Sequence, residues 1–174
     1  MIYPLVTNLD QIHQLVSKRH DDFAIMKYLL LRHEDLDDAE LDGIVQTLTN
    51  RVAAAIDCTQ CANCCRNLDV YLTPADVKTL AAGTDHTDEQ LLADVVDREL
   101  DANIGEWGRF RHKPCRYLDG RLCSVYPHRP DSCRAYPVLA PDFRWTLDDT
   151  IEGAALCPII YNVLVLMTDI TDRL

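Results

Sequence analysis

Positive charge is what this chain has least of: 17 Lys and Arg stand against 28 Asp and Glu in 174 residues, a formal net charge of -11. Nucleic acids and anionic membranes are bound through clustered Lys and Arg, so the deficit argues against either partner. Long apolar runs are missing too. The longest nearly continuous one, Pro158 to Met167, is broken by Asn162 and falls far short of the ~20 residues a helix needs to cross a bilayer. It is expected to be a buried helix. The opening Met1-Ile2-Tyr3-Pro4-Leu5-Val6 shows no basic leader and no apolar stretch closed by small residues, so a cytoplasmic protein is expected. There is no Ser-His-Asp order, Walker loop, dinucleotide fingerprint, internal repeat or low-complexity tract. Apolar residues nevertheless make up 48% of the chain, enough for a packed core, and the length allows one domain with or without a helical extension.

Residues 1–57 contain no cysteine and read as a helical extension, with Leu41, Ile44, Val45, Leu48, Val52 and Ala55/Ile56 recurring every three or four positions. Asp37 or Asp38 caps this helix, and the acidic stretch from Glu34 to Asp42 reads as a solvated cap, because it lacks the alternating spacing of a calcium loop. Thr73-Pro74-Ala75-Asp76 starts a helix that stops near Gly83, and Thr87 with Gln90 starts another that is expected to reach about residue 102. From Gly105 to Pro141 turn residues are frequent and helical periodicity disappears; beyond it Phe143, Trp145 and Leu147 alternate like a short strand.

Cysteine is the outlier, with eight in the chain. In a reducing compartment that number points to metal ligation or thiol chemistry before disulfides, and Cys64-Cys65 is awkward to bridge. Cys58, Cys61 and Cys64 have the C-x2-C-x2-C spacing with which ferredoxin loops hold three irons, and Cys157, followed by Pro158, is a candidate for the remote fourth ligand. Zinc accepts the same thiolates at about 2.3 Å, so spacing does not choose between zinc and an iron-sulfur cluster of the 4Fe-4S kind. Cys64 and Cys65, being adjacent, are expected to aim apart, one of them serving a second centre or staying free.

Cys115, Cys123 and Cys133 form the second group. Asp119-Gly120 signals a hairpin. A strict two-residue turn there sends Cys115 and Cys123 to opposite faces, whereas a three-residue loop with a bulge at Gly120 sets them side by side, so a shared centre predicts the bulged turn. Cys133 is expected near the N-terminus of a short helical turn opened by Pro130, which would lower its pKa. From Ile104 to Pro137 the net charge is +4, against -15 for the remainder. A four-thiolate centre carries about -2 and needs cations or N–H groups against it when buried, a role that falls to Arg129 and Arg134. His112 and His128 are nearby candidate donors, while His13, His20, His33 and His86 read as surface residues.

These residues together resemble the CxxCxxCC proteins, the YkgJ-type group of zinc- or iron-chelating domains. The resemblance spans about residues 58–157 and rests on Cys58-x2-Cys61-x2-Cys64-Cys65, Leu72-Thr73-x2-Asp76, Cys115-x-Tyr117-Leu118, Cys123-x-Val125-Tyr126-x2-Arg129-Pro130-x2-Cys133-Arg134-x-Tyr136-Pro137 and Cys157. Tyr117 and Tyr136 stand where the family usually has phenylalanine. The resemblance implies metal binding through these cysteines, and a more distant similarity to flagellin lysine methylases implies that an iron-sulfur cluster fits.

The expected fold is mainly α, with irregular cysteine-rich loops and a short β-hairpin, a single metal-stabilised domain spanning 58–174 with a C-terminal helix and preceded by the 1–57 extension. The expected function is cytoplasmic binding of zinc or an iron-sulfur cluster by Cys58, Cys61, Cys64, Cys65, Cys115, Cys123, Cys133 and Cys157. Two alternatives compete with it: an iron-sulfur-dependent redox or methyl-transferring enzyme, and a zinc-stabilised module whose acidic helices bind a protein partner.

Overall fold

The computed structural model describes residues 4–99 and 105–173. The chain is mainly helical with short antiparallel strands, as expected. It groups into two compact units, one built from residues 1–57 and 137–174 and the other from 58–136.

In the first unit, α1 (Leu9–Lys18) opens with the Asn8 side chain accepting the Gln11 amide at 2.9 Å, and α2 (His20–Arg32) follows at once. Asp37 caps α3 (Asp38–Ala55) by accepting the Glu40 amide at 2.8 Å. The buried stripe of α3 is Leu41, Val45, Thr49 and Val52. Ile44 and Leu48, expected on that stripe, lie half exposed along an open surface groove instead.

The second unit begins with α4 (Asn63–Asn67) and runs through β1 (Tyr71–Leu72), α5 (Pro74–Ala82), α6 (Asp88–Asp94), β2 (Val96–Asp97), β3 (Gly108–Phe110), β4 (Leu118–Asp119), β5 (Leu122–Cys123) and α7 (Asp131–Ala135). The capping boxes of Thr73 with Asp76 and Thr87 with Gln90 are both formed. The helix from Thr87 is shorter than expected: it ends at Asp94, and Val96 turns into a strand whose burial against β3 outweighs its place in a helical pattern. The last part of the expected helix, 100–102, lies outside the described residues, as does Ile104. β3 is the centre of an antiparallel sheet in the order β1-β3-β2, with Tyr71 opposite Arg109 and Val96 opposite Phe110. A cluster of Leu72, Val77, Leu80, Leu91, Val95, Val96, Phe110, Tyr117 and Val125 fills this unit, and Cys115 and Cys123 pack against it.

The chain then returns to the first unit with α8 (Leu147–Gly153) and α9 (Pro158–Thr171). The strand expected at Phe143–Leu147 is a turn leading into α8: the Trp145 and Thr146 amides both bond the Asp142 carbonyl, and Arg144 is buried while Trp145 is exposed. Pro158 occupies the first turn of α9, which packs against α1, α2, α3 and α8 and is buried along nearly its whole length. The polar break in its apolar run is explained by Asn162, whose amide pairs with both the N–H and C=O of Val6 at 2.9 and 2.7 Å. The acidic stretch is not merely solvated. Asp42 accepts the Asp142 and Phe143 amides, and Asp38 accepts from Arg144 and Trp145, while Arg144 also donates to the Leu30 and Leu36 carbonyls. No described helix is long and apolar enough to cross a membrane.

Candidate metal centre

The first thiol group is a succession of tight turns. A single 3-10 turn spans Cys58–Gln60, and the Cys61 and Ala62 amides both bond the Cys58 carbonyl at 3.1 Å. Ala62 then adopts a left-handed backbone with φ +52°, uncommon for a residue with a Cβ, and α4 begins. Cys64 and Cys65 do not diverge as expected: their sulfurs stand 3.9 Å apart. Arg66 bonds the Cys61 carbonyl at 2.9 Å and the Gly120 carbonyl at 2.7 Å, and Arg121 reaches the Gln60 carbonyl at 3.3 Å, so the cysteine loop is tied to the hairpin.

That hairpin has neither of the expected registers. Leu118 faces Cys123 and Asp119 faces Leu122, leaving Gly120 and Arg121 as the loop, with Gly120 at φ +59°. Cys115 sits outside the ladder, where the Leu118 amide bonds its carbonyl at 3.0 Å, and its own amide bonds the Cys65 carbonyl at 2.8 Å. It is this turn, and not a bulge, that carries Cys115 back beside the thiols. Cys133 lies on α7, a five-residue helix held from two sides: the Asp131 amide bonds the buried Asp76 carboxylate at 2.9 Å, and the Ser132 hydroxyl bonds the Tyr71 carbonyl at 2.8 Å.

Cys65, Cys115, Cys123 and Cys133 interact electrostatically in every pairwise combination. Hydrogen bonding from Cys64, helped by Arg66 and Arg129 against the effect of burial, holds the Cys65 thiol down at about 6. Burial, reinforced by neighbouring thiols, raises Cys115 and Cys123. Cys133 reverses the expectation of a lowered pKa: burial first, then the three other sulfurs, push it up to about 12. The helix N-terminus that was to stabilise its thiolate already has the Asp76 carboxylate on it.

Arg129 reaches Cys65, Cys123 and Cys133 electrostatically and stacks 4.0 Å over the Tyr126 ring. Arg134 instead bonds the Pro127 carbonyl at 2.7 Å and pairs with Asp131 at 3.6 Å. His128 packs its ring on Gly83, and His112 is exposed. His33 and His86 are half-buried and not surface residues, because a ring nitrogen of each is enclosed. Cys157 is buried at the start of α9, in the helical unit.

Among the described residues, no three Cys, His, Asp or Glu side chains are already arranged to hold a metal ion. The donors nevertheless fit a metal or cluster in kind. Cys61, Cys65, Cys115, Cys123 and Cys133 carry free thiols, and Tyr117 Oη and Arg129 Nε are buried donors with no acceptor among the described residues. Buried donors are normally paired, and metal-bound sulfur is an acceptor of the kind they lack. Arg66, Asp76 and the Tyr117 hydroxyl are the site residues that charge and spacing did not single out. The position of Arg66 directly after Cys65 was the available signal for the first.

No curated protein and no solved structure matches the chain significantly. A family model does: CxxCxxCC, described as "Putative zinc- or iron-chelating domain", matches residues 57–157. That stretch takes in all eight cysteines together with Asp76, Tyr117 and Arg129, and it covers more than half of the chain, which therefore belongs to the CxxCxxCC family of zinc- or iron-chelating domains.

Proposed function

We propose that this chain is a cytoplasmic metal-centre protein that holds zinc or an iron-sulfur cluster in cysteine thiolates. The observation that carries the reading is the set of mutually interacting thiols of Cys65, Cys115, Cys123 and Cys133 beside the unpaired Arg129 Nε. The ferredoxin-like spacing of Cys58, Cys61 and Cys64 adds three more donors and favours a cluster among the two occupants. A bound cluster supplies one-electron chemistry, and bound zinc supplies a fixed crosslink between loops. The protein's own part is to present thiolates, face their charge with Arg129, and fix Cys133 through Asp76.

The deciding experiment is purification without oxygen or added metal, followed by iron, acid-labile sulfide, zinc and visible absorption on one sample. Iron with matching sulfide and a broad visible band makes this a redox or radical-linked protein. Stoichiometric zinc in a colourless protein makes it a binding or structural module. Neither metal sinks the reading.

A further inference from the structure

We propose that this chain pairs with a second copy of itself along α3, the two helices antiparallel, with Ile44 of each against Thr47 of the other and Glu40 of each against Arg51 of the other. The pairing uses only the helical unit and is independent of what the thiols hold.

α3 buries one face, that of Leu41, Val45, Thr49 and Val52, and leaves a second one uncovered. On that second face Leu36, Ile44 and Leu48 line an open groove together with Glu40, Gly43 and Thr47. Gly43 stands inside the helix, where glycine costs about 1 kcal/mol relative to alanine. Nothing in its own fold asks for glycine there, since a Cβ would meet no atom within 4 Å. Glycine at such a place lets another backbone come close, and none of the described residues supplies that neighbour. Thr47 is small as well, and its hydroxyl already donates to the Gly43 carbonyl at 2.8 Å, so this surface can lose water without stranding that group.

The face is its own complement. Glu40, Ile44, Thr47 and Arg51 follow one another at steps of four, three and four, the spacing of a two-helix seam. Antiparallel copies meet about a midpoint. For one between Val45 and Gln46, Ile44 and Thr47 stand equally far to either side, and so do Glu40 and Arg51. The larger apolar side chain then meets the smaller, and acid meets base. Glu40 and Arg51 are both exposed, and neither makes an ion pair among the described residues. Within one chain they are separated by about 16 Å of helix, too far to pair with each other. Charge also sets the direction: Asp38, Glu40 and Asp42 crowd the N-terminal end of α3, whereas Arg51 is the sole charge from Gly43 to Ala55. Parallel copies would set acid against acid, and antiparallel ones keep the two acidic ends apart. The net charge of -11 opposes association at long range, but physiological salt screens charges beyond about 8 Å and leaves the local pairs.

The test is sedimentation equilibrium of the full-length protein over a range of concentrations at physiological ionic strength. The protein is purified anaerobically and kept in reductant, so that disulfides cannot link chains. The expected result is a reversible monomer to dimer equilibrium. Glu40→Arg and Arg51→Glu should each weaken the dimer about tenfold, because two-fold symmetry sets like charges together twice, and the double variant E40R/R51E should restore it. Ile44→Asp should give a monomer with unchanged helical circular dichroism. A wild-type protein that stays monomeric at every concentration overturns the proposal and leaves the groove to a different protein. So does a dimer that persists in folded Ile44→Asp, or one that the double variant restores no better than either single change. Should Ile44→Asp unfold, the charge exchange decides alone.

Discussion

Asp76 holds three hydrogen bonds at once. It accepts from the Thr73 amide and hydroxyl and from the Asp131 amide, and so caps α5 while fixing the helix that carries Cys133. Asp76→Ala removes the buried carboxylate that accepts the Thr73 and Asp131 amides and should destabilise the cysteine unit by about 1–3 kcal/mol, read as a lower urea midpoint together with weaker metal retention. Arg129 and Arg134, equivalent in the sequence, separate in the structure. Arg129→Ala should cost about 10–100-fold in metal affinity in a chelator competition, and Arg134→Ala should leave it unchanged, because Arg134 is engaged with Pro127 and Asp131. In the helical unit, hydrogen bonds from Arg144 and Trp145 hold the Asp38 carboxyl below its ordinary 3.8. A carboxyl depressed on folding adds stability above its unfolded pKa, and that share is lost as pH falls through the folded value. The stability gap between wild type and Asp38→Asn should therefore be constant near neutrality and shrink in acid; a gap that widens on acidification would contradict the assignment.

At the scale of elements, helix starts were the most legible feature. Thr73, Thr87 and Asp37 cap their own neighbours, and such bonds span only three residues. The sheet was illegible because β1, β2 and β3 are two or three residues long and pair across 12 to 38 positions, as Asp97 does with Arg109 and Tyr71 with Arg109. The thiols of the site were legible by spacing, but their supports were not. Arg66 to Gly120, Asp131 to Asp76 and Ser132 to Tyr71 are separated by 54, 55 and 61 residues. The stop of α5 at Gly83 has a packing reason beyond its backbone: a Cβ there would lie 2.3 Å from His128 Cγ. Gly83→Ala should cost about 1–3 kcal/mol in thermal unfolding, and adding His128→Ala should recover little of it, because the Cβ that remains at position 128 would still lie 2.6 Å from the new methyl.

Over the whole molecule, the two compact units differ in what sustains them. The helical unit has its own apolar interior, including Ile12, Phe23, Leu41, Phe143 and Leu164. The cysteine unit combines a smaller cluster with thiols that resist ionising together. Chelation should therefore strip hydrogen-exchange protection from residues 61–136 first and leave α9 protected, because metal-binding free energy in such a region is folding free energy. Equal loss in both units would refute this. The units also differ in how the chain runs through them. The cysteine unit is one continuous stretch, whereas the helical unit is completed only by α9, its central helix. On a ribosome, seven thiols emerge and close their loops while α1, α2 and α3 still wait for the helix they pack against. Starvation for metal during synthesis should therefore disturb the folding of the cysteine unit before α9 is available to the helical unit.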